Sequence, residues 1–495
     1  MIKRYLIPAA LLFILLVSKA NAQESRKMEL TFQEVIKLAR EQSPDAIMAK
    51  HRFRANYWEY RTHIAQFRPS ISLESTIPAF SRSISENKLD DGSYVYTEEY
   101  RNRIGANLRM QQVVPFTGGQ LFINSGLERT DLFGDFKGTS YLSTPVSIGY
   151  SQPILLYNDY KWQRKIEPLK YEEARKNYIS ALEDVSLKAV NYFFDLALAQ
   201  QNMQVAEINY SNADTLYKIA QGRYQIGTIA ENELMQMELS FLNAGSDLNS
   251  ARVDLEMRKF QLRSFLGFNE NIDLKLIKPK EVPELEIAVG EALGIAMENN
   301  PDVISYERQL LEAQQNVAEA KAEKGLQANL FASVGLTQSA EDLNKVYLDP
   351  QDQQRVTIGL ELPILDWGLG KGRYKMAQSS QQVINTTVQQ ARTDFEQNVY
   401  LNVMQFNLQD DQLLIAAKSD TIAQRRYDVT KQRFLIGKVD VLDLNVALSE
   451  KDVAKRNYIS ALRNYWSNYY QIRKITLYDF LEDSPLEVNF DEIIN

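Results

Sequence analysis

The chain carries one layout twice, and a duplication on this scale restricts the fold more than any single residue does. The stretch from Glu34 to Asp45, closing on Ser43-Pro44-Asp45, returns from Glu291 to Asp302, closing on Asn300-Pro301-Asp302. Arg223-Tyr224-Gln225-Ile226-Gly227 returns as Arg433-Phe434-Leu435-Ile436-Gly437, and the same offset pairs Gly149 with Gly359, Pro153 with Pro363, Tyr217 with Tyr427 and Arg263 with Arg473. The spacing is far above the ~20 to 50 residues of stacked solenoid units, so each half is a complete structural unit. The halves are read as residues 23–282 and 283–477, followed by a tail, 478–495.

Residues 1–22 have a basic start (Lys3, Arg4), an apolar run from Tyr5 to Val17 and a small-x-small end at Ala20-Asn21-Ala22. This pattern predicts a secretory signal peptide, removed before Gln23. The whole chain has 56 Lys and Arg against 64 Asp and Glu, a net charge of −8. Losing Lys3, Arg4 and Lys19 makes the mature protein more acidic still, which argues against a nucleic-acid partner. No later stretch approaches the ~18 to 20 apolar residues of a membrane helix. Cysteine is absent, which removes disulfides, thiolate chemistry and an amino-terminal lipid anchor.

Long helix dominates the pattern. Between Lys371 and Gly437 there is no proline, and after Gly372 no glycine. Ile384, Val388, Ala391, Phe395, Val399, Val403 and Phe406 recur at a mean spacing of ~3.67, the period of nearly straight, slightly right-handed packing. Leu169 to Gln221 lacks both breakers as well. Rods of that size measure roughly 95 Å. Shorter helices are predicted over 44–67 and 231–266 in the first half and over 301–324 and 441–475 in the second. Stacked end to end, each pair matches one long helix; the alternative is a bundle folded back on itself. Pro44 and Pro301 suit first helical turns, and Gly227 and Gly437 suit sharp turns with positive φ.

Alternating segments lie between the helices. Val146, Ile148 and Tyr150 alternate with small or polar residues, as do Val356, Ile358, Leu360 and Leu362, then Ile71 and Leu73, then Leu330, Ala332, Val334 and Leu336, with Phe331 out of pattern. This is how membrane β-barrel strands read, although a half-buried soluble sheet has the same period. Four strands cannot close a barrel, and open edges in hydrocarbon leave costly unpaired backbone groups, so several copies must share one.

The Ser/Asn-Pro-Asp helix starts, the Pro153 and Pro363 strand exits and the two Arg-Tyr/Phe-x-Ile-Gly turns together resemble the TolC-type outer-membrane efflux channels, over essentially the whole mature chain. The resemblance implies a mixed fold: a homotrimer with a membrane β-barrel of twelve strands in outer-membrane lipid, a long α-helical barrel in the periplasm, and an equatorial belt from the chain ends and the mid-chain insert. It implies the outer-membrane exit duct of a tripartite efflux pump or type I secretion system, working with a periplasmic adaptor and an inner-membrane transporter. The alternative is a helical scaffold without a pore.

Two departures stand out. The first half is longer than the second between Pro69 and Pro153, and the excess contains two more alternating segments, Ile104 to Gln111 and Leu121 to Glu128, around Thr117-Gly118-Gly119. They either extend an extracellular hairpin or add two strands per chain; a twelve-helix tube favours twelve strands over eighteen. At the periplasmic tips the resemblance places acidic aperture residues on Glu233 and Asp443, with Asp440 a further candidate. Phe434 stands where the family's gate has a hydroxyl-bearing tyrosine, and Val439 beside Lys438 where it has an arginine. Arg223, Tyr224, Gly227, Arg433, Phe434 and Gly437 are the expected adaptor-docking tips.

Enzymatic chemistry and cofactors are not expected. His51 and His63 lie too far apart on one helix to share a metal. Trp367-Gly368-Leu369-Gly370-Lys371-Gly372 lacks the spacing of a phosphate loop and is read as a flexible bend from strand into helix. Asp410 and Asp411 point apart on a helix.

Overall fold

A computed structural model describes residues 27–88, 90–134, 137–268, 272–279 and 282–494. The expected signal peptide lies outside the described residues. In chain order the elements are β1 (Lys27–Thr31), α1 (Phe32–Gln42), α2 (Pro44–Ala65), β2 (Ser70–Lys88), β3 (Tyr94–Val114), β4 (Gly119–Phe133), β5 (Gly138–Ile154), α3 (Asp159–Gln225), α4 (Glu231–Phe265), β6 (Asp273–Ile277), α5 (Val289–Asn299), α6 (Pro301–Glu323), β7 (Gln327–Ala340), β8 (Gln351–Glu361), α7 (Leu369–Asn407), α8 (Gln409–Leu435), α9 (Val441–Thr476), β9 (Tyr478–Asp479), β10 (Ser484–Pro485) and α10 (Phe490–Ile494). No described helix is long and apolar enough to cross a membrane. The described residues form two compact units, one within 27–53, 176–300 and 395–494, the other within 54–175 and 301–394.

The first unit holds an aromatic and ionic collar. Thr31 starts α1 with a reciprocal cap: Glu34 N donates to Thr31 Oγ1 at 3.3 Å, and Thr31 N donates to Glu34 Oε2 at 2.8 Å. The first residue of that helix, Phe32, packs among Phe193, Phe194, Trp466 and Tyr470, with ring centroids 4.8–6.5 Å away. Beside it Glu183 is fully buried. Its carboxylate accepts from Arg40 Nη1 at 2.7 Å and from Arg473 Nε at 3.0 Å. Arg473 also pairs with Asp479, which accepts from Tyr469. Burial alone would push the Arg473 guanidinium down, but Glu183, Tyr470 and Asp479 outweigh it and hold the group above its ordinary value.

Chain ends and mid-chain insert meet in this unit. β1 pairs with β6 in parallel. Phe490 of the tail stacks on Phe53 at 5.0 Å. Near the end of α4, Gln42 Nε2 donates to Leu266 O at 3.3 Å, and near the end of α9, Asn300 Nδ2 donates to Ile475 O at 2.7 Å. Both α2 and α6 start on the expected prolines.

The two long helices differ. α3 runs 67 residues without a break and continues through Pro168. Its counterpart, expected as one helix, is interrupted at Leu408 between α7 and α8. A remote segment docks at the break: Ile287 N donates to Asn407 Oδ1 at 3.1 Å, and Asn407 Nδ2 donates back to Ile287 O at 2.9 Å. Next to it, Asp410 is half-buried rather than simply solvated. Burial pushes its carboxyl up, the Leu285 backbone opposes this, and Glu284 and Asp411 add to it.

The second unit contains the sheet, in the order β2-β3-β4-β5-β7-β8 with every neighbour antiparallel. The chain thus contributes six strands to one sheet, the larger of the two counts that the sequence leaves open. The two extra alternating segments are β3 and β4, full members of the sheet, paired without a break from Tyr100 with Phe133 to Val114 with Gly119. One face is apolar and uncovered: Ile71, Met110, Ile123, Ile148 and Val334 form a row across five strands, and Ile71 and Leu360 are each 69% exposed. The opposite row is Ser72, Arg109, Asn124, Ser147 and Gly335. Phe331, out of pattern in the sequence, lies on this polar face, stacked on Phe122 at 5.5 Å. Phe122 covers the bare backbone of Gly149, where a Cβ would collide with its ring.

The glycine-rich segment after β8 turns the chain from strand into helix, with Trp367 and Gly368 at positive φ of 54° and 86°. Asp366 accepts from Gly368 N at 2.9 Å and from Gly370 N at 2.8 Å, and α7 begins within the segment at Leu369.

Candidate functional site

The Arg-Tyr/Phe-x-Ile-Gly copies fold into two nearly identical turns, α3 to α4 and α8 to α9. Gly227 N donates to Tyr224 O and Thr228 N to Arg223 O; Gly437 N donates to Phe434 O and Lys438 N to Arg433 O, all at 2.9 Å. The glycines have φ of 73° and 74°. This left-handed closure satisfies carbonyls at the helix end, and only glycine adopts it without strain. The following helix starts differ. Asp440 caps α9, its Oδ1 accepting from Asp443 N at 2.9 Å, whereas Ala230 before α4 makes no side-chain cap.

A groove of about 360 Å³ between the turns brings several sequence-predicted residues together, with Arg223, Glu233, Phe434, Gly437 and Asp440 all on its wall. Tyr224, Arg433, Lys438 and Asp443 are exposed and outside it. Phe434 is a core residue here, buried with Tyr427, Leu444 and Ala447 against Leu216 and Val439. The Arg223 guanidinium stacks over its ring at 5.7 Å. Arg223, expected as a free docking residue, therefore turns part of its surface inward to the second repeat. Cation–π stacking contributes ~0.5 to 1 kcal/mol at such half-open positions. Sequence reasoning did not reach this contact.

Further along the same helices, polar links join the repeats, and one of them, Asn209 with Asp452, lines a cavity of about 650 Å³. Asn209 Nδ2 donates to Asp452 Oδ2 at 2.8 Å, Asn212 Nδ2 to the Tyr427 hydroxyl at 3.3 Å, and Lys431 Nζ to Asn212 Oδ1 at 3.0 Å. Lys451 Nζ sits 4.4 Å over the Tyr427 ring. Burial, then Asp452 and Asp428, push the Tyr427 hydroxyl up, so it stays a neutral donor and acceptor. The repeated tyrosines were the only sequence signal for this layer: Tyr217 stacks on Phe241 at 5.9 Å where Tyr427 meets Lys451.

These turns and links position helices. Among the described residues no cluster of His, Cys, Asp and Glu forms a metal site.

The chain matches the model of the family described as outer membrane efflux protein over residues 35–268 and 292–476. Its fold is similar to the CmeC outer membrane channel of Campylobacter jejuni, with TM-score 0.66 and 16% identity over 94% of this chain and 88% of that one. It is similar to the outer membrane protein VceC of Vibrio cholerae, with TM-score 0.65 and 13% identity over 92% and 97%. It is also similar to the open MtrE outer membrane channel of Neisseria gonorrhoeae, with TM-score 0.60 and 16% identity over 90% and 88%. No curated protein matches the chain by sequence.

Proposed function

The chain belongs to the outer membrane efflux protein family, a family of exit ducts in the outer membrane that reach into the periplasm, and from this premise we propose how it assembles and what it engages. Three copies form one duct. The observation that carries this reading is the sheet: among the described residues neither β2 nor β8 has an outer partner strand, and edges of that kind do not persist in hydrocarbon. Residues 23–282 and 283–477 act as the two repeats of each protomer, 1–22 as the removed leader, and 478–495 as part of an equatorial belt.

The duct is passive. A periplasmic adaptor docks on the turns around Arg223, Tyr224, Gly227, Arg433 and Gly437, and an inner-membrane transporter supplies the energy. Glu233, Asp440 and Asp443 set the charge of the aperture, and Phe434 with Lys438 replaces the polar links of the family's gate. What supports the assignment is the repetition of one turn geometry in both halves, with Glu233 and Asp443 each in the first turn of the following helix.

Purification in detergent followed by planar-bilayer recording tests the assembly. A trimer by light scattering with discrete conductance steps is expected. A monodisperse monomer without conductance would leave the scaffold reading in place of the duct.

A further inference from the structure

The hairpin β3–β4 has no counterpart in the second repeat, where β7 and β8 alone occupy the matching place. Its turn, Pro115 to Gly118, is not at a free outer end. Asn158, at the start of α3, donates Nδ2 to Pro115 O at 3.1 Å and to Phe116 O at 3.2 Å. Gln152 Nε2 donates to Thr117 O at 2.7 Å, and the Arg164 guanidinium of α3 lies 4.8 Å over the Phe116 ring. Gln112 Nε2 donates to Phe67 O at 2.7 Å, just after α2. The turn is thus fastened to the helix–strand junctions, at the end of the sheet where the chain enters and leaves it. An extracellular extension would put that turn at the opposite end.

The faces of the hairpin agree with its neighbours. Leu108 and Met110 continue the apolar face of β2 by pairing directly with Leu73 and Ile71, and Ile104 and Ala106 extend the same alternation. On the other face Arg109 Nε donates to Asn124 Oδ1 at 3.1 Å, Gln111 Nε2 to Gln120 Oε1 at 3.1 Å, and Arg103 lies 3.9 Å from Glu128. Such charges need water on that side, and the leucines and isoleucines opposite need lipid.

We propose that β3 and β4 are wall strands of the membrane barrel, so that three copies, each closing its β8 edge on the β2 edge of the next, form an eighteen-stranded barrel with Arg103, Arg109, Asn124 and Glu128 toward the lumen. β2 leads away from the helices and β8 returns to them, so the joint between copies is antiparallel, as in an even-numbered barrel. Barrel diameter grows about linearly with strand number, so eighteen strands are about one and a half times as wide as twelve, in the range where porins hold open water. The membrane segment is then wide enough to hold a water-filled channel. This inference rests on the trimeric duct reading, and its test separates the two.

The chain has no cysteine, so single cysteines report cleanly. Each is placed from Ile123 to Leu127 of β4, skipping Gly126, and at Glu128. Controls are Ile71 and Ser72 on β2, and Thr357 and Ile358 on β8. Intact cells are treated with a membrane-impermeant polyethylene-glycol maleimide, and every variant is first checked as a heat-labile trimer by electrophoresis. Labelling is expected at Asn124 and Glu128 and at Ser72 and Thr357, and at least tenfold less at Ile123, Ser125, Leu127, Ile71 and Ile358. Equal labelling along β4 while β2 and β8 still alternate overturns the eighteen-stranded wall and leaves the duct standing. Loss of alternation on all three strands overturns both.

Discussion

The collar around Glu183 and the paired turns at Gly227 and Gly437 are ends and middles of the same helices, yet they are held by opposite means. In the collar a carboxylate with no solvent exposure sits between two arginines inside a wall of Phe32, Phe193, Trp466 and Tyr470. At the turns four residues make a small core, and one stacked arginine and a few amide links tie the repeats. Strong, fully paired charge in an apolar shell resists rearrangement, because separating it strands an ion away from water. Weak, half-open links exchange readily with water. The difference assigns rigidity to the collar and leaves the turns free to shift during transport.

The largest test of this contrast is Glu183→Ala, which leaves Arg40 and Arg473 facing each other across the vacated site. A loss of about 3 kcal/mol is expected, at the low end for a broken buried pair because Arg40 remains partly open to water. Thermal melting of the detergent-solubilised protein should show a large drop in Tm. An unchanged Tm would mean that the collar is held by its aromatic wall alone.

Gly227→Val and Gly437→Val probe the turns. Nothing lies within 4 Å of a Cβ at either position, so the entire penalty is positive φ, about 1 to 2 kcal/mol each. Efflux of a dye substrate should fall in both while trimer and membrane level persist. Full efflux in both variants would remove the turns from the docking assignment.

A smaller effect is expected where the two turns differ. Asp440→Ala removes the cap on α9 and should cost about 1 kcal/mol. Ala230→Asp, by supplying the missing cap on α4, should recover a comparable amount, read as opposite shifts in the urea midpoint of the tip region by hydrogen exchange. Equal shifts of the same sign would show that local caps do not govern these ends.

Where the structure adds most to the sequence reading, the deciding partner is far along the chain. Pro44 and Pro301 announce their helices because proline carries its own φ, and Gly227 and Gly437 announce their turns for the same local reason. The interruption at Leu408 was not legible, because the segment that holds Asn407 there is centred on Ile287, more than a hundred residues earlier. The alternation of β3 and β4 was legible, but their place inside the sheet is set by pairing with β2 and β5, which alternation alone does not specify. The burial of Phe434 was not legible either, because part of its packing comes from Leu216 and Arg223 of the other repeat, some two hundred residues earlier.

The finest test concerns charge at the turns. Glu233 and Asp443 are both exposed and both lie in the first turn of a helix, where the dipole stabilises a carboxylate. In a trimer they would bring up to six carboxylates around one water-filled opening, a field that concentrates cations and repels anions. Multivalent cations added from the periplasmic side should block the conductance, and more strongly at low salt, where the Debye length is longer. Glu233→Gln together with Asp443→Asn should relieve the block and lower cation selectivity, with a stability change within about 0.5 kcal/mol, as for surface substitutions generally. Asp440 differs from both because its Oδ1 already accepts from Asp443 N, so it is committed to the helix cap. If the double variant keeps wild-type block, the cap carboxylate is the aperture group instead, and Asp440→Asn, which retains the capping oxygen without the charge, should relieve the block.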